Sequence, residues 1–170
     1  MPIDFGARPN ALPWPPLMFL LAFIAAIALG FIVPLRLDLP GIARAIGVVF
    51  IVCSLALYVW GAVTMRRAKT NLLPHRAAGQ LVDWGAFAVS RHPIYVGATI
   101  AFFGLGVAAN HAWICLAALV LALAVDRIGM AREDAHMAAR FGAEWARYAS
   151  RTPRWLGPGS LNVLRGRRET

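Results

Sequence analysis

The chain has few charged residues, only two cysteines and no glycine-rich phosphate-binding loop. Only 15% of its 170 residues are charged, whereas 59% are hydrophobic and the mean hydropathy is +0.62. This balance excludes an ordinary soluble domain and is typical of a small protein that crosses a membrane several times. Because Cys53 and Cys115 both lie inside apolar runs, we expect neither a disulfide framework nor a metal site.

Acidic residues are also scarce, with eight against 17 basic residues and a formal net charge of +9. Such an excess can indicate nucleic-acid binding, but the basic residues form no patch interleaved with aromatic side chains. We therefore expect no nucleic-acid partner. No cleavable signal peptide is expected either, because Asp4 and Arg8 precede the first apolar run.

Four apolar stretches predict an all-α fold, a polytopic membrane helical bundle with about four transmembrane helices. The last two stretches are short and are joined only by Asn110 and His111. The fourth helix must therefore continue through Asp126 and Arg127, or the hairpin must lie shallowly in the bilayer. The chain is interpreted as a single domain, 1–170, with transmembrane helices at about 17–35, 42–65, 93–109 and 112–130, a cytoplasmic connection at 66–92, a C-terminal amphipathic helix at 131–150 and a flexible basic tail at 156–170.

Basic residues are concentrated on one side of the predicted membrane. Residues 66–91 contain five of them and the region from Arg127 onward contains nine arginines, whereas the Asn110–His111 turn contains none. An even number of spans places both termini on one side, and the basic excess identifies that side as cytoplasmic. We therefore predict an integral membrane protein of the bacterial-type inner membrane with cytoplasmic N- and C-termini. The sequence indicates no oligomeric state.

The C-terminal helix is predicted to be amphipathic. Met137, Phe141, Trp145 and Tyr148 recur at spacings of four, four and three, which places them on one face of a helix. Arginines occupy the opposite face. Such a helix lies along a membrane surface or packs over the ends of other helices, and a simple surface anchor is the alternative to a role in a site.

A polar cluster stands at the start of the third apolar stretch. Pro93 suits the first turn of a helix, whose free N–H groups, together with the guanidinium of Arg91, form a seat for a carboxylate. Tyr95 follows two residues later, and Gly97 leaves space for a flat ring to approach the backbone. The alternative is positional, because arginine and tyrosine both occur at membrane boundaries without a further function.

Two acids, Glu133 and Asp134, occur at the start of the amphipathic helix, on or beside its apolar face. Acids in such a position require a cation. A bound ligand could supply the cation. A salt bridge to Arg91 or Arg127, or the dipole at a helix N-terminus, would satisfy the two acids equally well.

Four segments carry a resemblance to a known family. Residues 70–74 (TNLLP), 81–87 (LVDWGAF), 90–97 (SRHPIYVG) and the acid-pair region 132–155 resemble the isoprenylcysteine carboxyl methyltransferases and the related phospholipid methyltransferases. The resemblance covers about half of the chain. This sequence departs from the usual family pattern at three positions, with Asp134 in place of glutamate, Trp145 in place of tyrosine and Ala86 in place of proline.

The resemblance implies a helical membrane methyltransferase that uses S-adenosylmethionine, bound between the last two helices and the C-terminal segment and open to the cytosol. The residue chemistry suits this cofactor, since Arg91 could hold its carboxylate and Glu133 its ammonium group. Tyr95 or Tyr148 could face the sulfonium or the adenine. His92 could hydrogen-bond the cofactor or orient Arg91. The predicted cofactor-binding residues are Arg91, His92, Pro93, Tyr95, Gly97, Glu133, Asp134 and Tyr148.

The predicted methyl acceptor is a lipophilic or small molecule, and membrane lipids are the other expected partners. Arg154 or Arg127 would position a carboxylate acceptor, whereas Glu133 or Asp126 would accept the proton of an amine. A thiol acceptor would require thiolate formation nearby. The predicted catalytic residues are Glu133, Arg154 and Arg127.

Two other functions compete with methyl transfer. The first is a membrane reductase of the sterol-reductase kind that uses NADPH, against which weigh the four predicted spans and the lack of a glycine-rich phosphate loop. The second is a non-enzymatic lipid-binding membrane protein.

Overall fold

A computed structural model describes residues 14–69 and 79–160, and every regular element in these two ranges is helical. Residues 70–74 of the family-like pattern and the basic residues after 160 lie outside the described residues. The prediction of an all-α membrane helical bundle is confirmed. The helices are α1 (Trp14–Ile32), α2 (Gly41–Arg67), α3 (Ala86–Val89), α4 (Pro93–Ala108), α5 (Ala112–Ala124) and α6 (Ala131–Arg151), and a π-helical segment, Val125–Met130, joins α5 to α6.

Two helices in the described part of the chain are long and apolar enough to cross a membrane. One is α2, with 27 residues, and the other is the continuous 40-residue helix Ala112–Arg151, which contains α5, the π segment and α6. The helix after the Asn110–His111 turn therefore continues through Asp126 and Arg127. The helix α4 is apolar but has only 16 residues, so it rises about 24 Å, less than the ~30 Å hydrocarbon core of a membrane.

Small residues allow α2 and α4 to pack closely. A Cβ atom at Gly97 would lie 2.7 Å from the carbonyl oxygen of Ser54, and one at Gly104 would lie 2.8 Å from that of Gly47. Neither position tolerates a side chain without separating the helices. Gly97 therefore faces α2. The space beside its backbone is filled by this helix, which corrects the expectation that a flat ligand ring approaches there.

The apolar core lies between α1, α4, α5 and the π segment. Phe102 of α4 makes edge-to-face contact with Phe19 of α1, with ring centroids 6.0 Å apart. The helix α4 also packs directly against α5, so the start of α4 lies beside the start of α6. The buried core residues are Ala26, Val96, Phe102, Ile114, Ala118, Leu121, Val125 and Met130.

The structure differs from the sequence prediction within the amphipathic helix. Gly142 has φ 50° and ψ −120°, which breaks the helical geometry inside α6. The apolar positions on its two sides therefore do not form one continuous stripe. Trp145 and Tyr148 are buried, whereas Phe141 is only partly buried.

The predicted connection and tail also contain structure that the sequence did not indicate. The short helix α3 forms within the connection. Ser160 is buried, and its hydroxyl donates a hydrogen bond to the carbonyl oxygen of Val89 over 2.5 Å. Residues 156–160 are therefore fastened to the bundle rather than forming the start of a free tail.

Candidate functional site

Three segments of the chain meet at the N-terminal end of α4. The backbone N–H of Arg91 donates to the carbonyl oxygen of Pro153 over 2.9 Å, and the Ser90 hydroxyl donates to that of Arg154 over 2.8 Å. The same hydroxyl oxygen accepts the N–H of His92 over 3.1 Å. These bonds place the segment that follows α6 across the residues that precede α4.

Asp134 is the centre of the side-chain cluster at this junction. Its Oδ2 atom accepts from Nη1 of Arg91 at 2.9 Å and from Nε and Nη2 of Arg154 at 3.0 and 2.9 Å. Its Oδ1 atom lies 2.8 Å from Nε2 of His92. Burial by itself raises the pKa of the Asp134 carboxyl, but the hydrogen bond from His92 and the positive charges of His92 and Arg91 outweigh it and hold this pKa below the usual 3.8.

His92 lies between two carboxylates. Its Nδ1 atom is 3.4 Å from Oε2 of Glu133, while Nε2 contacts Asp134. Burial alone would lower the pKa of the imidazole, but the hydrogen bonds to Asp134 and Glu133 and their negative charges raise it above 6.5. With a carboxylate on each side, the doubly protonated imidazolium is the form that donates at both nitrogens.

Glu133 is the more accessible of the two neighbouring acids. Its Oε1 atom accepts a hydrogen bond from the hydroxyl of Tyr95 over 2.5 Å, and its side chain is 23% exposed, against 11% for Asp134. The rings of Tyr95 and His92 stack with centroids 5.8 Å apart. The acid pair therefore divides into a buried acid that binds the protein's own cations and a partly exposed acid.

Asp126 adds a third acid at the edge of the cluster. It accepts from Nη1 of Arg154 at 3.3 Å and from the indole N–H of Trp155 at 2.9 Å. Because Arg154 also binds Asp134, its guanidinium connects two acids of the long helix. Arg154 therefore fastens the chain after α6 to the π segment and to the first turn of α6.

The π segment explains how one arginine reaches both acids. In a regular α-helix, at about 100° per residue, positions eight apart such as Asp126 and Asp134 would point about 80° away from each other. A π-helical turn takes up roughly one extra residue, which reduces this angle to about 20°. The six π-helical residues Val125–Met130 begin just before Asp126, so the two acids share one face of the helix.

Arg91 is supported by an aromatic pair beneath it. Its guanidinium carbon lies 5.6 Å from the centre of the Trp145 ring, and Trp145 makes edge-to-face contact with Tyr148. The Tyr148 hydroxyl donates to the carbonyl oxygen of Phe87 over 2.7 Å. The buried Nε atom of Arg91 has no hydrogen-bond partner within residues 14–69 and 79–160.

The structure brings most of the predicted site residues together. Pro93 begins α4 beside them, as its first helical residue. Three predicted residues lie elsewhere: Gly97 faces α2, Tyr148 is buried below Trp145, and the side chain of Arg127 is 81% exposed and lies 3.5 Å from its neighbour Asp126. The residues that meet in the cluster are Arg91, His92, Tyr95, Glu133, Asp134 and Arg154.

Some residues of the site were not assigned to it from the sequence. Trp155 and Trp145 lie in the family-like C-terminal region, but nothing in their spacing shows that they would contact Asp126 and Arg91. Ser90 directly precedes Arg91, and only the fold shows that its hydroxyl joins two chain segments.

The charges of the cluster balance. Three acids, Asp126, Glu133 and Asp134, face the two arginines 91 and 154 and His92, and the numbers of opposite charges are equal when His92 is protonated. Buried ions are tolerated when each has an opposite partner, and breaking one such pair leaves an uncompensated charge. A ligand that binds here must therefore bring both a negative and a positive group or disturb this balance.

Comparison with known proteins identifies one family. A family model described as phospholipid methyltransferase matches residues 42–144. The match begins in α2 and ends in α6, so it includes Arg91, His92, Glu133 and Asp134 but not Arg154. No curated protein and no solved structure is significantly similar to the chain.

Proposed function

Because the chain belongs to the phospholipid methyltransferase family, we propose that it uses S-adenosylmethionine, bound at the cluster around Asp134, to methylate a lipophilic or small acceptor. The family implies methyltransferase activity, and the apolar helices make the chain a membrane protein. The observation that carries the proposal is that one cation, Arg91, and one anion, Glu133, are both partly exposed in the same cluster at the N-terminus of α4.

The donor set fits the amino-acid part of this cofactor, which carries one carboxylate and one ammonium group. Arg91 and the first N–H groups of α4 would bind the carboxylate, and the orphaned Nε of Arg91 is a donor that still requires an acceptor. Glu133 would bind the ammonium group. A zwitterion adds no net charge to this part of the cluster, so the balance among its own acids and cations is kept.

The remaining residues of the cluster would hold these two groups in place. Asp134 fixes the position of Arg91, and Trp145 supports the guanidinium from below. His92 restrains Glu133 on one side and Tyr95 restrains it on the other. The ring of Tyr95 would also face the positive sulfonium or the flat adenine. Tyr148 would act indirectly, by holding Trp145.

When bound, the cofactor supplies a methyl group that is already activated by its sulfonium sulfur. The protein therefore contributes mainly alignment and the exclusion of water. Glu133 or Asp126 would accept the proton of an amine acceptor. Arg154 or the exposed Arg127 would position a carboxylate or another anionic acceptor.

The side of the membrane is part of this proposal. The cluster lies at the end of the bundle that also contains Arg66, Arg67 and the arginines of α6. By the positive-inside rule this end is cytoplasmic, with both termini on the same side of a bacterial-type inner membrane. A water-soluble nucleoside cofactor would enter from there.

Thermal unfolding in detergent tests the cofactor against the competing functions. We expect S-adenosylhomocysteine, the cofactor without its methyl group, to raise the melting temperature and NADPH to leave it unchanged. Stabilisation by NADPH alone would favour the reductase, and stabilisation by neither would favour a non-enzymatic lipid-binding protein. Incubating membranes with labelled S-adenosylmethionine and identifying the labelled product would then define the acceptor.

A further inference from the structure

A groove runs along the outer side of α2 towards the basic end of the bundle. It is a shallow, open concavity of about 710 Å³, and its walls are formed by α2 and by the tryptophan and glycine that precede α3. Leu55, Val59 and Val63, spaced by four, line its length, Trp60 and Trp84 flank it, and Arg67 closes one end. We refer to these six residues as the lateral groove.

The concavity arises where the segment before α3 packs closely against α2. Gly85 has φ 63°, and a Cβ atom on it would lie 2.7 Å from Oγ1 of Thr64, so this segment is held tightly against α2. Next to this contact, Trp84 remains 45% exposed and Trp60 41% exposed. The two indoles therefore stand beside the groove, where they can contact an occupant.

The groove has the length and polarity of one lipid chain with its headgroup. From Leu55 to Arg67 the helix rises about 18 Å, slightly more than one leaflet of the ~30 Å hydrocarbon core. Gly61, within this stretch, packs on Pro93 and Ile94 at the start of α4. The apolar part of the groove thus extends into the bilayer from the membrane boundary, where Arg67 lies.

The charges at the boundary select the headgroup. Arg66, Arg67 and Lys69 lie at the end of α2 and just after it, and all three are exposed. The neighbouring segment, residues 81–85, contributes one acid, Asp83. A phosphate without a compensating ammonium group fits this excess of positive charge better than a zwitterionic headgroup.

We propose that the lateral groove binds a membrane lipid with an anionic headgroup, with one acyl chain along Leu55, Val59 and Val63 and the phosphate at Arg67. The proposal does not depend on methyl transfer, because the groove and the cluster around Asp134 share no residue. The lipid would be a bound partner of the bundle, separate from the methyl acceptor.

Charge-matched variants on α2 test the headgroup. Purified, delipidated protein would be titrated with phosphatidylglycerol and with phosphatidylcholine, and bound lipid would be counted by native mass spectrometry. We expect about a fivefold preference for phosphatidylglycerol, the ratio that one arginine at a membrane surface provides. Arg67→Gln should remove most of this preference, whereas Arg66→Gln, which removes the same charge at a neighbouring position that does not line the groove, should reduce it much less. Equal losses in the two variants would overturn the proposal.

Two alanine-to-phenylalanine variants test the chain-binding part. Ala56 lines the groove, whereas Ala45 is exposed on α2 outside it. We expect Ala56→Phe to fill the groove and to reduce bound phosphatidylglycerol at least several-fold, and Ala45→Phe to leave it unchanged. The same amount of bound lipid in both variants would contradict the proposal. Lipid-free Ala56→Phe could instead show a lowered melting temperature without any loss of bound lipid. This result would mean that part of the chain itself fills the groove, and it would also contradict the proposal.

Discussion

His92 and Asp134 are 42 positions apart in the sequence, yet Nε2 of His92 lies 2.8 Å from Oδ1 of Asp134. The contact joins the N-terminus of α4 to the first turn of α6. It forms because the apolar core holds α4 against the long helix and the π segment sets the rotation of α6. The properties of the site depend on this pairing.

Stability should depend on pH through these two residues. The pKa of His92 in the folded protein lies above 6.5. Its contribution to the free energy of unfolding is therefore complete below pH 6.5 and is lost as the pH rises through the folded pKa. The pKa of Asp134 in the folded protein lies below 3.8. Its contribution to the free energy of unfolding is therefore complete above pH 3.8 and is lost as the pH falls through the folded pKa. We expect the melting temperature in detergent to be highest between these limits.

The variant His92→Gln separates the two effects. The amide can still donate a hydrogen bond to Asp134, but it does not titrate. The decline of the melting temperature at alkaline pH should therefore become smaller, while the decline at acidic pH remains. An unchanged alkaline decline would show that other groups cause it.

Removing the charge of Glu133 should greatly weaken cofactor binding without unfolding the protein. Glu133 is partly exposed and, in the proposed site, binds the ammonium group. We expect Glu133→Gln to weaken binding of S-adenosylhomocysteine by at least about tenfold in isothermal titration, because a charge-assisted contact is lost. Arg91→Ala should have the same effect through the carboxylate.

Glu144 provides the matched control for this variant. It lies on the same helix and is exposed, away from the cluster. Glu144→Gln removes one negative charge from α6 and should bind S-adenosylhomocysteine normally. Normal titration of S-adenosylhomocysteine by Glu133→Gln or by Arg91→Ala would disprove the assigned cofactor pocket.

Neutralising Asp134 should destabilise the fold itself. Its carboxylate is 11% exposed and pairs with Arg91, Arg154 and His92. Asp134→Asn leaves these cations without their shared partner, and removal of one member of a buried ion pair costs about 3 kcal/mol. Unfolding in detergent should show a clearly lower melting temperature, and Asp134→Glu should recover part of it. A variant Asp134→Asn as stable as the original chain would mean that the cluster is not a structural centre.

A deletion and an insertion in the π segment should have opposite effects on the acids. Without Ile128 the segment can revert to an α-helix in which the two acids are seven positions apart, so they still point within about 20° of each other. An alanine inserted after Ile128 turns Asp126 about 80° away from Asp134 or shifts the whole of α6. We expect the deletion and Ile128→Ala to keep S-adenosylhomocysteine binding and the insertion to lose it. Equal binding by the deletion and the insertion would refute a role for the π segment in the register of the acids.

Adding a methyl group at Gly97 should affect packing and not ligand contact. The new Cβ atom would lie 2.7 Å from the backbone of Ser54, and overpacking of this kind costs about 1–3 kcal/mol. Gly104→Ala meets a similar contact at the other end of the same interface and should lower the melting temperature comparably. A selective loss of S-adenosylhomocysteine affinity in Gly97→Ala, with unchanged stability, would restore Gly97 to the cofactor site.

The sequence predicted the fold class because long apolar runs leave few alternatives in a membrane. A backbone in hydrocarbon must satisfy its own hydrogen bonds, so an apolar run of sufficient length becomes a helix. The polar positions of the site were also visible, since Arg91, Glu133 and Asp134 stand where apolar residues would otherwise be expected. The family-like order of these residues supplied the expected chemistry.

Three local features could not be predicted from the sequence pattern. The attachment of Ser160 to Val89 joins distant parts of the chain, and the kink at Gly142 and the π segment both depart from regular α-helical rotation. Helical periodicity assumes a regular rotation per residue, so it placed Met137 and Tyr148 on one stripe that the kink interrupts. Helical periodicity likewise gave no reason to expect that Gly97 packs on α2 whereas Tyr95 contacts Glu133.

The sequence by itself determined that this is a small helical membrane protein with a basic side and with polar residues at the start of one helix and beyond the end of another. Only the tertiary structure decided which of these residues meet. Asp134 became the buried centre and Glu133 the accessible acid because the π segment rotates α6 by about one residue relative to α5. The packing of glycines against α2 and the core contacts of α4 then fixed the distances from Arg91 and His92 to both acids. These distances cannot be read from any pattern in the sequence.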